Sequence, residues 1–273
     1  MDRSRRRFLL ELGGTALGIG AAGPVLAGAT RAAAQGTHAP VATSERQWAM
    51  VIDVDRCLSD EVRQACADAC HREHNVPAIP DRRNEVKWIW SEPWEHTFPE
   101  QVHTHTAPAL RTAPVLVMCN HCTDPSCVKV CPTGATWKRD SDGLVMMDMH
   151  RCIGCRYCMA ACPYGSRSFN WRDPRDFVEK DAAGNPVSDY PTRTTGVVEK
   201  CSFCAERLRE SRQPACVEAA NQVPGGEGAL TFGDVSDPDS EVSRLLREKH
   251  TLVRKVSLGT GPNVYYLVPS AVP

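Results

Sequence analysis

Eight cysteines between positions 119 and 162 have the spacing of ligands to iron–sulfur clusters. The second group of four reads C-I-G-C-R-Y-C-M-A-A-C-P. In this bacterial ferredoxin spacing, three thiolates bind one [4Fe–4S] cluster and the fourth, before proline, binds the other cluster of a pair. The first group has the same form with two extra residues before its third cysteine. Two clusters that exchange ligands in this way account for all eight residues: Cys119, Cys122, Cys127, Cys131, Cys152, Cys155, Cys158 and Cys162.

Zinc and disulfide bonds explain this spacing less well. A zinc site takes four ligands and gives no reason for another cysteine directly before Pro132 or Pro163. Disulfides between residues three positions apart are strained. A zinc-stabilised or disulfide-stabilised extracellular binding protein is therefore the alternative from a different class, and it would be colourless.

Two incomplete cysteine groups flank these eight. The segment from Trp48 to Asp55 predicts a strand that runs towards Cys57, and a helical turn is expected around Cys66 and Cys70. A ferredoxin group beginning at Cys57 would need a second thiol near position 60, where the chain has aspartate.

The last group has the form C-x-x-C-x11-C, with Cys201, Cys204 and Cys216. A further cysteine is expected three residues later, where the chain has Ala220. Each outer group is therefore one cysteine short.

Composition indicates a small core that depends on its cofactors. The chain has 273 residues, of which fourteen are cysteine, twenty are proline and only 6% are aromatic. Because cluster binding is coupled to folding, we expect the chain without clusters to be poorly folded.

Residues 1–34 are predicted to be a twin-arginine signal peptide. The pattern Ser4–Leu9 precedes a mildly apolar run and small residues that end at Ala34, the expected cleavage site, with Ala29 as the alternative. Glu11 and several glycines make the run a poor membrane anchor. Cleavage removes five arginines and two acidic residues and leaves 27 basic and 31 acidic ones, so nucleic-acid binding is not expected.

At this point the sequence resembles a known family. The four cysteine groups, the phrase Val198–Arg207, the segment Ala229–Asp234 and the tail from Leu258 to Leu267 are similar to the iron–sulfur electron-transfer subunits of the dimethyl sulfoxide, polysulfide and formate-dependent nitrite reductase systems. The leader and the missing cysteines most resemble the periplasmic DsrO-type subunits of the Dsr membrane complex of dissimilatory sulfur metabolism.

The resemblance implies which cysteines share a cluster. In this family the two inner cysteine groups contribute ligands to each other's clusters, and so do the two outer groups. Site I then contains Cys119, Cys122, Cys127 and Cys162. Site II contains Cys131, Cys152, Cys155 and Cys158. Site III contains Cys70, Cys201, Cys204 and Cys216. What we call position IV would contain Cys57, Asp60, Cys66 and Ala220.

Both missing cysteines fall on position IV, so three [4Fe–4S] clusters are predicted. Cys57 and Cys66 are left over, and a disulfide between them is one role. The other is a fourth cluster completed by Asp60 or by a histidine such as His71 or His74.

The predicted fold class is α+β, with two pseudo-symmetric bacterial-ferredoxin-like units and long loops around the clusters. A hairpin is expected from Thr136 to Asp148, and a short helix from Ser240 to Lys249. The predicted inner unit spans 114–171, the outer unit 48–109 and 197–256, and the C-terminal tail 257–273.

Two segments between the cysteine groups are predicted to be irregular. Residues 77–113 form an insertion that is either a docking surface for a partner or a loop packed on its own protein. Its aromatic and histidine residues are Trp88, Trp90, Trp94, His96, His103 and His105. Residues 172–196 are expected to be an exposed connecting loop.

The resemblance implies electron transfer in the periplasm, without catalysis by this chain alone. The expected partners are a quinone-binding integral membrane subunit of the NrfD/polysulfide-reductase type, a multihaem cytochrome c and other Dsr subunits. The alternative is the iron–sulfur subunit of a molybdopterin-dependent reductase for tetrathionate, polysulfide or a similar acceptor.

Overall fold

The computed structural model describes residues 45–268, which form short strands and helices joined by long loops. The strands are β1 (Trp48–Asp53), β2 (Ile89–Pro93), β3 (Pro114–Met118), β4 (Thr136–Lys138), β5 (Val145–Met147), β6 (Ser168–Phe169), β7 (Val198–Glu199), β8 (Leu230–Asp234), β9 (Thr251–Leu252) and β10 (Val264–Leu267). The helices are α1 (Asp60–Glu73), α2 (Trp94–Thr97), α3 (Pro108–Thr112), α4 (Ser126–Lys129), α5 (Tyr157–Ala161), α6 (Ala205–Arg209), α7 (Ala215–Gln222) and α8 (Glu241–Glu248). Short 3-10 turns occupy Arg56–Leu58, Pro99–Gln101, Pro174–Asp176 and Val256–Leu258.

The predicted signal peptide and the last residues of the tail lie outside the described residues. Within 45–268, no helix has both the length and the apolar character needed to cross a membrane.

The largest sheet joins the first strand of the described chain to its last ones. Strand β1, which confirms the predicted strand, pairs antiparallel with β8 and parallel with β10, and β9 forms the edge. Since side chains alternate along a strand, Met50 and Ile52 enter the main core whereas Ala49 and Val51 pack against Val242 of α8.

Helices α1 and α7 pack together and bring the first and last cysteine groups into contact. Ser59 caps α1 by accepting a hydrogen bond from the Val62 amide, and Asp60 and Glu61 lie in the first turn, where acidic residues are favourable. The expected helix around Cys66 and Cys70 is thus confirmed as part of α1.

The insertion is packed on its own protein. Trp88 and Trp94 are 1% and 3% exposed, and β2 pairs antiparallel with β3. The docking interpretation is therefore wrong for these two tryptophans, which belong to the main core. The three histidines of the insertion, at 96, 103 and 105, are exposed.

Two further local predictions are confirmed and one needs correction. Strands β4 and β5 form the predicted hairpin, with Gly143 at a φ of +72° in its turn. Helix α8 begins after Ser240, whose side chain accepts a hydrogen bond from the Ser243 amide. The 172–196 loop is mostly exposed, but Arg193 is 2% exposed because it forms a buried ion pair with Glu199.

The sheets also connect segments that were assigned to different units. Strand β2 of the predicted outer unit pairs with β3 of the inner unit, and β6 of the inner unit pairs with β7 of the outer. The mixed α and β content with small sheets agrees with the predicted class. The pseudo-symmetric division into two units stays a prediction.

Candidate iron–sulfur sites

Three C-x-x-C loops of the chain share one backbone conformation. The residue before the second cysteine has a positive φ in each loop: +41° at His121, +69° at Gly154 and +56° at Phe203. For a residue other than glycine this left-handed conformation costs about 1–2 kcal/mol. In the last of these loops the Phe203 N–H faces the first thiol and donates to Cys201 Sγ at 3.4 Å.

Glycine is required at the middle one of these loops. A Cβ atom on Gly154 would lie 2.4 Å from the carbonyl oxygen of Gly196. Only glycine, which has no Cβ, avoids this clash. The loop of the second cysteine group is therefore held against the segment that leads into β7.

The four thiols of site I are gathered in one place. The Cys122 thiol interacts electrostatically with Cys119, Cys127 and Cys162, and burial together with these neighbours raises the pKa of Cys122 to about 12. Burial likewise raises the pKa of Cys162. The raised pKa values keep Cys122 and Cys162 protonated at neutral pH unless a cation is bound among the four thiols, as the iron of a cluster is.

The four cysteines of site II line one small cavity. Cys131, Cys152, Cys155 and Cys158 surround it together with Met147 and Val198, among others. Burial raises the pKa of Cys131, but hydrogen bonds from Thr136, Thr133 and Ala135 outweigh it and lower the pKa below its ordinary value. This site lies close to solvent, since Ile153 and Tyr157 beside it are 66% and 63% exposed.

Site III combines α1 with the last cysteine group. The Cys70 thiol interacts electrostatically with Cys201, Cys204 and Cys216, and burial raises its pKa well above the ordinary value. All four residues are buried. The α1–α7 contact brings Cys70 and Cys216 together, and the C-x-x-C loop supplies the other two.

Hydrogen-bond donors point at sulfur atoms in all three sites. Backbone amides donate to Cys152 Sγ from Val198 at 3.5 Å and to Cys204 Sγ from Ala215 at 3.4 Å. A guanidinium N–H of Arg167 donates to Cys127 Sγ at 3.0 Å. Because N–H groups stabilise the negative sulfur of a metal-bound thiolate, this donor set fits [4Fe–4S] ligation.

The two leftover cysteines have the opposite surroundings. Cys57 Sγ faces the Ala229 carbonyl oxygen at 3.8 Å and Cys66 Sγ faces the Cys216 carbonyl oxygen at 3.4 Å, so each thiol acts as an S–H donor. Burial raises the pKa of Cys57 far above its ordinary value and that of Cys66 to about 12. The two thiols interact electrostatically with each other and lie in the apolar core.

Position IV lacks the loop conformation as well as the ligands. Ser59, which corresponds to His121, Gly154 and Phe203, has φ −64° and caps α1 instead of turning back. The Asp60 side chain is 96% exposed and pairs with Arg63.

The remaining candidates at position IV are also engaged elsewhere or buried. Ala220 is fully buried in the core. His74 has its Nδ1 at 2.9 Å from the Cys70 carbonyl oxygen and its Nε2 at 2.6 Å from Glu206 Oε1, so both ring nitrogens face oxygen acceptors. His71 Nε2 is buried and, within the described residues, has no hydrogen-bond partner.

Electrostatic interactions between thiols indicate the order of the sites. Cys158 of site II interacts electrostatically with Cys127 of site I, and Cys201 of site III interacts with Cys119 of site I. Cys216 of site III interacts with Cys66 at position IV. These interactions give the order site II, site I, site III and then position IV.

Sequence reasoning missed three residues that contact these sites. Arg167 reaches sites I and II. The Thr260 hydroxyl hydrogen-bonds the Cys122 thiol and, at 2.5 Å, the Tyr164 hydroxyl. The Val145 amide donates to His121 Nδ1 and His121 Nε2 donates to the Cys201 carbonyl, each at 3.1 Å, which fixes a neutral imidazole. Burial lowers the pKa of His121 well below its ordinary value. Only the position of Arg167, shortly after the last Cys-Pro, could have indicated any of these roles.

Comparison with known proteins identifies the family. Residues 114–178 match the 4Fe-4S dicluster domain family. The chain is 41% identical to the Hdr-like menaquinol oxidoreductase iron-sulfur subunit 1 of Archaeoglobus fulgidus, over 96% of this chain and 97% of that one.

Two further relatives belong to other complexes. The menaquinone reductase iron-sulfur cluster-binding subunit of Nitratidesulfovibrio vulgaris is 37% identical, over 81% of this chain and 88% of its own length. A tetrathionate reductase subunit of Salmonella typhimurium is 32% identical, over 98% of this chain and 89% of its own length. The resemblance inferred from the cysteine groups is confirmed, and the chain belongs to the family of [4Fe–4S] electron-transfer subunits of oxidoreductase complexes, which do not catalyse alone.

Proposed function

We propose that this chain carries electrons through three [4Fe–4S] clusters, held at sites I, II and III, within a membrane-bound redox complex. Each cluster accepts and releases one electron when bound. The observation that carries the proposal is the positive φ that three C-x-x-C segments share at the same position, with backbone N–H donors directed at sulfur atoms of the second and third segments. The protein holds the ligands in place and supplies the hydrogen bonds and charge that set the reduction potentials.

The residues at position IV support three clusters rather than four. Ser59 begins a helix there, Asp60 points to solvent and Ala220 is packed in the core. Cys57 and Cys66 donate to carbonyl oxygens, which would repel a metal-bound thiolate. We therefore assign the two cysteines to the core and do not expect Asp60, His71 or His74 to replace the two missing ligands.

The electrostatic interactions between thiols of different sites support a linear row in which site I is the middle one. Site II lies next to site I through Cys158 and Cys127, and site III lies on the other side through Cys201 and Cys119. Electrons would therefore pass between the exposed end at site II and the end at site III. Position IV would have extended the row beyond site III.

The complex we propose is of the Dsr type, in the periplasm and reached through the twin-arginine route. Two relatives named for menaquinol and menaquinone support a quinone-interacting integral membrane subunit of the NrfD/polysulfide-reductase type as one partner. A multihaem cytochrome c is the second partner, alongside other Dsr subunits. The shortage of cysteines at position IV favours this type over subunits with a full set.

A second candidate is the iron–sulfur subunit of a molybdopterin-dependent reductase. It is favoured by the similarity to the tetrathionate reductase subunit, which extends over nearly the whole chain. Affinity purification of the tagged protein from membranes of its own organism distinguishes the two. A c-type cytochrome in the purified complex supports the Dsr type, and a molybdenum protein in its place supports the reductase.

Iron and acid-labile sulfide per mature chain test the number of clusters. We expect about twelve irons, from three four-iron clusters, and electron paramagnetic resonance signals from three interacting centres after reduction. About sixteen irons would contradict the role given to position IV. A colourless protein that contains zinc would contradict the proposal as a whole.

A further inference from the structure

Arg167 is a buried cation at the boundary between sites I and II. It is 4% exposed, and its Nη2 donates a hydrogen bond to Cys127 Sγ of site I at 3.0 Å. The guanidinium also interacts electrostatically with the Cys158 thiol of site II. A single guanidinium therefore acts on one ligand of each site.

The β4–β5 hairpin fixes the position of this guanidinium. The Thr136 hydroxyl accepts a hydrogen bond from Arg167 Nη2 at 2.8 Å and donates to the Met146 carbonyl oxygen at 2.8 Å. Arg167 Nη1 lies 3.8 Å from Met147 Sδ. Because the planar guanidinium has five donors in a rigid arrangement, it reaches both sites at once without changing its rotamer.

The charge of Arg167 is balanced by sulfur. In the described part of the chain its main electrostatic partners are the thiols of Cys127, Cys158 and Cys119 rather than carboxylates. A buried guanidinium without a counter-charge is strongly unfavourable. The arrangement is therefore favourable when these cysteines are negatively charged metal ligands.

We propose that Arg167 raises the reduction potentials at site I and site II together and so keeps two neighbouring steps of the electron path matched in energy. The proposal rests on the proposed function, because it requires clusters at both sites. Reduction adds one negative charge to a site, and a fixed positive charge in hydrogen-bond contact with its sulfur stabilises the reduced state more than the oxidised one. The low dielectric of a buried position strengthens this effect. No covalent bond is made or broken, and the electron comes from the neighbouring redox group.

Redox titration of the purified holoprotein, followed by electron paramagnetic resonance, tests the proposal. In Arg167→Gln, we expect two of the three potentials to shift to lower values and the third to stay unchanged. The signal that is missing in Cys216→Ser belongs to site III and so identifies the unchanged one. In Arg167→Lys, which keeps the charge but has a single donor nitrogen, both potentials should fall by less.

Thr260→Val provides the matched single-site control. The Thr260 hydroxyl hydrogen-bonds Cys122 of site I, and no contact with a ligand of site II is present among the described residues. This variant should lower one potential only. If Arg167→Gln leaves both potentials unchanged, shifts only one or shifts all three equally, the proposal is wrong.

Iron content separates this proposal from the proposed function. If the wild-type protein has the expected iron content and three signals, the proposed function stands even when Arg167→Gln has no effect on the potentials. If Arg167→Gln does not retain iron, the potentials of Arg167→Lys are measured instead. A fall at two sites with the third unchanged supports the proposal, and any other result contradicts it.

Discussion

His121 and Phe203 stack on each other with ring centroids 3.9 Å apart and planes inclined by 19°. Each is the residue before the second cysteine of its own C-x-x-C loop, and each has a positive φ. The stack therefore joins the loop of site I to the loop of site III through the two residues that define their conformation. Phe203 also makes an edge contact with Phe232 of β8.

Replacement of Phe203 should separate packing from backbone conformation. Phe203→Ala should lower the free energy of unfolding by about 3–5 kcal/mol, as the loss of a buried phenylalanine does. Phe203→Gly should be less destabilised than the alanine variant, by about 1 kcal/mol, because glycine adopts positive φ without a steric penalty. Denaturant unfolding followed by visible absorbance measures both.

Phe232 is the control for this comparison, since it lies in a strand and is not among the residues with positive φ. There the order should reverse, with Phe232→Gly less stable than Phe232→Ala by about 0.5–1 kcal/mol. The same order at both positions would contradict the role assigned to the left-handed conformation.

Cys216 and Cys66 are neighbours with different predicted roles. Cys216→Ser should remove the cluster of site III and lower the iron content from about twelve to about eight per chain, because one four-iron cluster loses a ligand. Cys66→Ser should leave the iron content unchanged, although its Sγ lies 3.4 Å from the Cys216 carbonyl oxygen. Loss of all iron in Cys216→Ser would instead mean that the sites do not assemble separately.

Glu199 and Arg193 form an ion pair in which neither side chain is exposed. Glu199 also accepts hydrogen bonds from Trp88 Nε1 at 2.7 Å and Asn170 Nδ2 at 2.6 Å. Glu199→Gln should lower the free energy of unfolding by about 3–5 kcal/mol because it leaves a buried guanidinium without its partner. Glu179→Gln, which removes the exposed partner of Arg72, is the control and should have no measurable effect. Equal effects of the two substitutions would contradict this interpretation.

Cys57 and Cys66 should remain protonated thiols in the folded protein. Since burial raises the pKa of both, little thiolate is present at neutral pH and alkylation should be slow. Peptide mapping by mass spectrometry should find both residues unmodified after treatment of the folded holoprotein and fully alkylated after unfolding with a chelator. A disulfide-linked peptide pair under non-reducing conditions would show that the two have formed a bond.

The cysteine groups predicted more of the sites than of the surrounding fold. The spacing of the cysteines and the family resemblance predicted which residues form each site, and the structure brings those residues together. The role of Thr260 was not predictable, because its contacts arise where distant segments meet and its neighbours in sequence carry no signal. The burial of Trp88 and Trp94 likewise depends on the pairing of β2 with β3, which local sequence does not specify.

Position IV offers a test of whether loop conformation or ligand number decides cluster binding. The double substitution Asp60→Cys and Ala220→Cys restores four cysteines, yet we expect the iron content to stay at about twelve. The new thiol at position 60 would lie in the first turn of α1, where the present side chain is 96% exposed, and Ser59 would still cap the helix.

The second new thiol meets a filled core. Ala220 is fully buried in the main core, so the added sulfur should overpack the site and cost about 1–3 kcal/mol. Asp60→Cys alone should cost no more than about 1 kcal/mol, for the lost charge in the first turn and the lost pair with Arg63, which separates the exposed position from the buried one. About sixteen irons in the double variant would mean that ligands alone were missing and that α1 rearranges around the cluster. An unchanged iron content together with lower stability would mean that the chain has replaced a cluster loop by a helix cap and a packed core.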